Sequence, residues 1–453
     1  MITVAPRAAK CCAAARPRPA VAPVMRTVFS SKSSWTGEGR WVEFVPEATM
    51  ECVDHTVCVL FCGMVGRCWE VLGGTGSDFL SLNRTGRIRE AFLTELSRHE
   101  DFRLSASGSR VQYGNYEYLL ETEQMVAAFH NAETSWIAHS GFFANVGVLE
   151  AIPLPGDVIV YDELSHASTM LGMKTSVAAR KVAFQHNSVD SLSEVLVALK
   201  DGESGFATGA QSVLICVESM EMVGLVKELF PAGNAQFLID EAHSSGVLGP
   251  RGGGLLGLEK EIAIRVHVCS KALASTGGEV ILCNKTRRTS FPMVASIRAG
   301  YQLLMSGATE EAQAAIQEIV KYFFQAITAD PVCEQAMDEG LLTIPLAEDW
   351  QNRAVHSHIV PITTRPRHEQ FLAFHLALAN MNAYSISYPV VPKGGSRVRL
   401  VLHVHNTKHE IDYLVAAISK WASEMLEIEE REVRNALPAA AREVYALQTS
   451  LAV

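Results

Sequence analysis

The segment FLIDEAHSSGVLGPRGGG, residues 237–254, decides how the chain is read. Phe237, Leu238 and Ile239 form an apolar run of strand type that stops at Asp240, Glu241 and His243, then breaks into serines and glycines. Open α/β sheets hold their ligands at the carboxyl ends of the strands. A carboxylate and an imidazole three residues apart at such an end therefore mark a candidate site.

Working outward, further short apolar runs alternate with helical patterns: DVIVYD (157–162), KVAFQH (181–186), SVLICVE (212–218), RVHVCS (265–270) and EVILCN (279–284). SVDSLSEVLVALK (188–200) separates two of them. Near-continuous strands with helices between them predict a mostly parallel sheet covered on both faces. Upstream, IREAFLTELSRH (88–99) sets Ile88, Phe92, Leu93 and Leu96 on one helical face, and YLLETEQMVAAFH (118–130) repeats the pattern with Leu119, Met125, Val126 and Phe129. After about residue 300 come longer helical stretches and then SHIVPITT and SRVRLVLHVH, which have strand character and predict a smaller α+β lobe. The expected division is a leader at 1–72, a large domain at 73–305, a small domain at 306–430 and a helical tail at 431–453.

A chain of 453 residues is long enough for two lobes, and a net charge of −10 argues against a nucleic-acid surface. The best apolar run, VCVLFCGMV (57–65), is shorter than the roughly 18 residues that a membrane span needs. Cys52, Cys58, Cys62 and Cys68 lack the paired spacing of a zinc site, and Cys216, Cys269 and Cys283 lie in apolar segments as buried thiols. The reading is a reducing compartment, the cytoplasm, with no metal. The first 37 residues hold no Asp or Glu but carry Arg7, Lys10, Arg16, Arg18, Arg26 and Lys32. That composition is like a mitochondrial transit peptide; an unstructured leader is the alternative, since four prolines oppose a helix.

Two chemistries use a string such as Asp240-Glu241-Ala242-His243. An ATP-driven helicase also needs a glycine-rich phosphate loop ending in Gly-Lys-Ser/Thr, and the chain has none. GGTGSDF (73–79) lacks the third glycine of a dinucleotide fingerprint. A pyridoxal-phosphate enzyme needs a lysine for the aldehyde, a carboxylate beside the pyridine nitrogen, a flat group over the ring, N–H groups for the phosphate and an arginine for a substrate carboxylate. Each has a candidate. Lys271 follows RVHV and precedes small residues; Asp240 ends the strand before it. Ser140, Gly141 and Phe142 open a helix, where backbone N–H groups suit a dianion. His166 follows DVIVYD, and Arg397 and Arg399 alternate on a strand and so share a face. Taken singly, each has an ordinary structural explanation: a solvated lysine, a helix cap, a turn, a surface ion pair.

SASGSRVQYGN (105–115), HSGFFANVGVLEAIPLPGDVIVYDELSHAS (139–168), HNSVDSL (186–192), DEAHSSGVLGPRGGGLLGLE (240–259), SKALASTGG (270–278) and YPVVPKGGSRVRLVLHVHNT (388–407) together resemble the α-oxoamine synthase family. Within it they look most like 8-amino-7-oxononanoate synthases of the fungal kind and their secondary-metabolism relatives. The resemblance spans roughly residues 77–425. It implies a fold-type I, pyridoxal 5′-phosphate-dependent homodimer. Its members join an amino acid, here expected to be L-alanine, to an acyl thioester of the pimeloyl-CoA kind, with loss of carbon dioxide. Carried over, Lys271 would hold the cofactor as a Schiff base and serve as acid and base. Asp240 would face the pyridine nitrogen, His243 the phenolic oxygen, and His166 would stack on the ring. Ser140, Gly141, Phe142 and Ser219 would surround the phosphate, and Arg397, with Arg399 as second choice, would take the substrate carboxylate.

The chain also departs from the family. Val268 stands where the family has a threonine that binds phosphate, and the stretches near 219–224 and 288–292 are shortened. Three other readings stay open: the same chemistry on a long fatty or polyketide chain, simple transamination, and a non-catalytic subunit that keeps the fold.

Overall fold

The computed structural model describes residues 76–451 apart from 105–107, 111–112, 203, 219–222, 255–261, 282–289, 389–390 and 432–435. The leader at 1–72, Ser219 and Cys283 lie outside the described residues, as do parts of the shortened stretches near 219–224 and 288–292.

Among the described residues, seven strands form the larger sheet: β1 (Trp136–Ala138), β2 (Val158–Asp162), β3 (Arg180–Phe184), β4 (Val213–Val217), β5 (Ala235–Asp240), β6 (Ile264–Val268) and β7 (Gly278–Ile281). Their order is β1-β7-β6-β5-β4-β2-β3. The five strands from β6 to β3 are parallel, whereas β7 runs antiparallel to both of its neighbours. β7 therefore closes EVILCN onto the sheet in the opposite sense to the other predicted strands. β1 was not foreseen, because three residues give no period to read.

Alternation along the strands explains the two covered faces. Val213, Ile215 and Val217 of β4 pack with Phe237 and Ile239 against Leu192, Leu196 and Leu199 of helix α5. Leu214 and Cys216 point the other way, onto a core that includes Ala144, Val148, Leu149 and Met173 from helices α3 and α4. These helices span Gly141–Ala151 (α3), Ala167–Thr175 (α4) and Val189–Gly202 (α5). Dry on both sides, β4 is apolar throughout, which is why its sequence shows a run and not alternation. β6 is as dry but buries Arg265 and His267, and the edge strand β3 is largely exposed.

Ahead of the sheet lie α1 (Arg87–Ser97) and α2 (Glu117–Phe129), which pack with α6 (Phe291–Met305). Leu119, Val126 and Phe129 are buried as their spacing predicts. On α1 the expectation for Leu93 is corrected: it is exposed, and Glu95 is buried in its stead. The inward face follows Ile88, Phe92 and Glu95, and the carboxylate is sustained there by Tyr118 Oη (2.8 Å), Gln302 Nε2 (3.1 Å) and Arg298 Nε (3.3 Å).

A separate antiparallel sheet has the order β10-β11-β9-β8, from β8 (Leu342–Thr343), β9 (Ile359–Thr364), β10 (Tyr384–Ile386) and β11 (Arg397–Val401). Val360, Ile362, Val398 and Leu400 form its dry face with α7 (Glu310–Ala329), α8 (His368–Leu378) and α9 (Lys408–Glu430). Thr407 opens α9 with a reciprocal cap to Glu410. A last helix, α10 (Ala439–Leu451), sets Tyr445 edge-on to Phe374 of α8. The architecture is the one the sequence predicts: a mostly parallel sheet between helices, with a smaller α+β part. No described helix is long and apolar enough to cross a membrane.

Candidate active site

Register brings the polar strand ends level. Val217 pairs with Ile239, so Glu218 and Asp240 stand side by side at the carboxyl edge, and Asp162 ends the next strand. Lys271 lies three residues beyond β6 on the same edge. This is the edge at which open α/β sheets place ligands. A small cleft opens there between Asn145, Thr169, Glu218 and Asp240.

The opening segment sorts its own polar groups. Asp240 turns to the cavity: Oδ2 accepts from Asn145 Nδ2 at 2.7 Å and Oδ1 from the Ala242 N–H at 3.0 Å. Glu241 turns inward, is almost fully buried, and receives the Ser244 hydroxyl. His243 returns to the site, where Lys271 Nζ donates to its Nε2 at 3.0 Å. Asp240 and Glu241 thus serve different ends, unlike the paired acids of an ATPase. The glycines that follow let the loop fold back on itself. Gly252 sits at φ 73°, and a Cβ there would come within 2.7 Å of the Gly246 carbonyl.

Electrostatics favour neutral forms. Burial pulls the Lys271 ammonium down to about 8, helped by Arg399 and opposed by Asp240 and Glu218. Burial, with Lys271 and Arg399 beside it, lowers His243 to about 2, so its imidazole is neutral and can accept from the lysine. Desolvation in the cleft and the neighbouring Asp240 raise Glu218 to about 7.

The remaining candidates fall into place around this edge. Ser140 caps α3, its Oγ accepting the Phe143 N–H at 3.3 Å, so the first-turn N–H groups of Gly141 and Phe142 lie ahead of any intrahelical acceptor. His166 caps α4 and meets Phe142 edge-on at 6.2 Å. Arg397 and Arg399 share one face of β11, but their charges act in different places. Arg399 bears on Lys271 and His243, while Arg397 bonds the Gly395 carbonyl at 3.0 Å and bears on His186. Arg399, second choice from the sequence, is thus the arginine coupled to Lys271 here.

Three residues escaped the sequence reading: Asn145, Ser168 and Glu218. Signals existed for each. Asn145 is an amide inside the apolar helix GFFANVGVLEA, Ser168 stands two residues after His166, and Glu218 directly follows its apolar run beside the strand that Asp240 ends.

The donor set suits pyridoxal 5′-phosphate: a lysine amine of depressed pKa, a carboxylate with both oxygens engaged by N–H groups, and a helix N-terminus. The phosphate side is narrow but not blocked. A Cβ on Gly141 would lie 2.2 Å from Val268 Cγ2, so this valine methyl packs where a threonine would offer a hydroxyl. The described residues fit the cofactor, with a methyl at Val268 in place of that hydroxyl.

The sequence matches the Aminotransferase class I and II family over residues 78–418. It is 46% identical over 403 residues to the Aminoacyl transferase sphA of Aspergillus fumigatus, covering 83% of this chain and 86% of that protein. It is 37% identical over 381 residues to the 8-amino-7-oxononanoate synthase of Emericella nidulans, covering 78% and 89%. Among solved structures, serine palmitoyltransferase from S. paucimobilis with a bound PLP–myriocin adduct superposes with a TM-score of 0.63 at 21% identity, over 79% of this chain and 88% of that one. The 8-amino-7-oxononanoate synthase of Francisella tularensis gives 0.57 at 20%, over 79% and 99%. The chain belongs to the pyridoxal-phosphate-dependent α-oxoamine synthase group of the class I and II aminotransferase family.

Proposed function

We propose that the chain joins an amino acid, L-alanine first, to an acyl thioester, giving an α-amino ketone, carbon dioxide and free thiol. The observation that supports this most is the grouping of Lys271, His243, Asp240 and His166 at one sheet edge, with the Arg399 charge upon Lys271 and His243.

Bound pyridoxal phosphate would supply an electron sink for a carbanion at the amino acid's Cα. Lys271 Nζ would hold the aldehyde and, when free, would move the proton at that Cα. Asp240, braced by Asn145 and the Ala242 N–H, would serve the ring nitrogen, and His243 the phenolic oxygen. His166 would stack on the ring. Gly141, Phe142 and Ser140 would hold the phosphate, with Ser219 assigned to the same group. Arg397 or Arg399 grips the substrate carboxylate and orients the bond that breaks. Exposed apolar side chains on α3 and α4 (Phe142, Phe143, Met170 and Leu171) support a homodimer, which light scattering would test.

The acyl donor has two readings. Pimeloyl-CoA follows from likeness to the oxononanoate synthase; the higher identity to the aminoacyl transferase, whose name specifies no acyl chain, keeps a longer fatty or polyketide thioester as the second reading. The test is the visible spectrum of the purified chain with pyridoxal phosphate, before and after L-alanine, beside Lys271→Ala. An absorption band that requires Lys271 and changes with alanine is expected. Thiol release from pimeloyl-CoA against long-chain acyl-CoA then selects the donor. A keto acid appearing in place of carbon dioxide would turn the reading to transamination, and no Lys271-dependent band would leave a non-catalytic fold.

A further inference from the structure

His166 is held in one protonation geometry by its neighbours. Its Nδ1 accepts the backbone N–H of Ser168 at 3.2 Å, and Ser168 Oγ lies 2.7 Å from the same nitrogen. A backbone N–H can only donate, so Nδ1 carries the lone pair and the neutral ring carries its proton on Nε2. Ser168 Oγ receives an N–H from Asn145 Nδ2 at 3.1 Å, which leaves the hydroxyl proton for Nδ1.

The amide is oriented too. The other N–H of Asn145 Nδ2 goes to Asp240 Oδ2 at 2.7 Å, where a flipped amide would set two acceptors face to face. Asn145 is 2% exposed and Ser168 fully buried, so water does not compete for these bonds. Glu218 Oε1 fixes the main chain by accepting the His166 N–H at 3.2 Å. One continuous chain of bonds thus runs Asp240, Asn145, Ser168, His166.

We propose that Asn145 and Ser168 are positioning residues that hold His166 as its Nε2–H tautomer and tie it to Asp240. His166 then meets whatever occupies the cleft as a hydrogen-bond donor and not as a base. What occupies the cleft rests on the proposed function; the tautomer belongs to the chain itself and is measurable without cofactor.

The test is ¹⁵N–¹H NMR of histidine-labelled, cofactor-free protein, with His166→Gln to assign the signal. At pH 7.5 the expected state has Nδ1 bare and Nε2 protonated; a protonated Nδ1 overturns the proposal. Ser168→Ala removes a bond that only the neutral ring accepts. The His166 titration midpoint, which burial holds below the ordinary imidazole value, should then rise by about 0.5–1 pH unit.

Asp240 on β5, Glu218 after β4, and His243 and Lys271 beyond β5 and β6 also face this ring, and all four stay unchanged in that variant. Ser168→Thr should restore the midpoint. Asn145→Leu, or Asn145→Ser should the first not fold, should move it the same way. An unmoved midpoint in Ser168→Ala or in the Asn145 variant overturns that residue's part. A correct tautomer in a chain with no Lys271-dependent band would refute the proposed function and leave this brace standing.

Discussion

Lys271 carries an amine that burial pulls to about 8, against the charges of Asp240 and Glu218, which push the other way. Only the neutral amine attacks an aldehyde, so capture of pyridoxal phosphate should accelerate from pH 7 to 8.5 and level off above. Borohydride reduction at timed intervals, followed by mass spectrometry of the Lys271 peptide, reads this directly. Asp240→Asn removes the nearest charge that favours the ammonium and should shift the curve to lower pH. A curve centred near the ordinary lysine value would contradict the buried setting. Lys271 and Asp240 were legible in the sequence because each follows an apolar run, where a polar group must have a purpose. Asn145 and Ser168 were not, because neither announces a partner until folding brings positions 145, 168 and 240 together.

At the level of single elements, α3 makes the sharpest claim. Gly141 opens the helix against Val268, and Gly147 in the same helix has no atom near its missing Cβ. Gly141→Ala should therefore cost about 1–3 kcal/mol by overpacking. Gly147→Ala should be neutral or stabilise by up to about 1 kcal/mol through helix propensity. Urea midpoints of the two variants test the contrast, and equal effects would sink it. Val268→Thr offers the complementary gain: a hydroxyl beside the helix N-terminus should tighten binding of pyridoxal phosphate by about tenfold or more, one charged hydrogen bond being worth about 1.5–3 kcal/mol. Equilibrium titration of the cofactor against both proteins measures it. Strands β2, β4 and β5 could be read from their apolar runs, since both faces are dry. The place of β7, antiparallel among parallel strands, could not, for pairing direction leaves no mark on a four-residue run. On α1, the burial of Glu95 was hidden because its partners come from α2 and α6, far away in sequence.

Across the molecule, buried histidines set the acid limit. His130 and His267 stack at 4.0 Å, with Tyr301 Oη and Ser245 Oγ as hydrogen-bond partners. Burial lowers His130 to about 3 and His267 well below the usual range, and holds His358 at about 3 and His243 at about 2. These groups are neutral in the fold and become protonated on unfolding below about pH 6.5, so the unfolded chain binds more protons and stability falls as pH drops from there toward the folded values. Each contributes up to about 1.4 kcal/mol per pH unit within that window. Urea midpoints of the cofactor-free protein should therefore hold from pH 7.5 to about 6.5 and then decline toward pH 5. A flat profile there would mean that these rings meet water.

The strand order carries a consequence for biosynthesis. β1 closes the sheet by pairing Ile137 with Glu279, more than 140 positions away, and reaches the other strands only through β7. As the chain leaves the ribosome from its amino end, β2 to β6 can pair in turn while β1 waits for the strand that will bridge it to them. Until then β1 has no strand to pair with, and the first turn of α3, seated between Val268 and Gly278, lacks one side of its seat. The cleft that depends on that turn is thus among the last features to take shape.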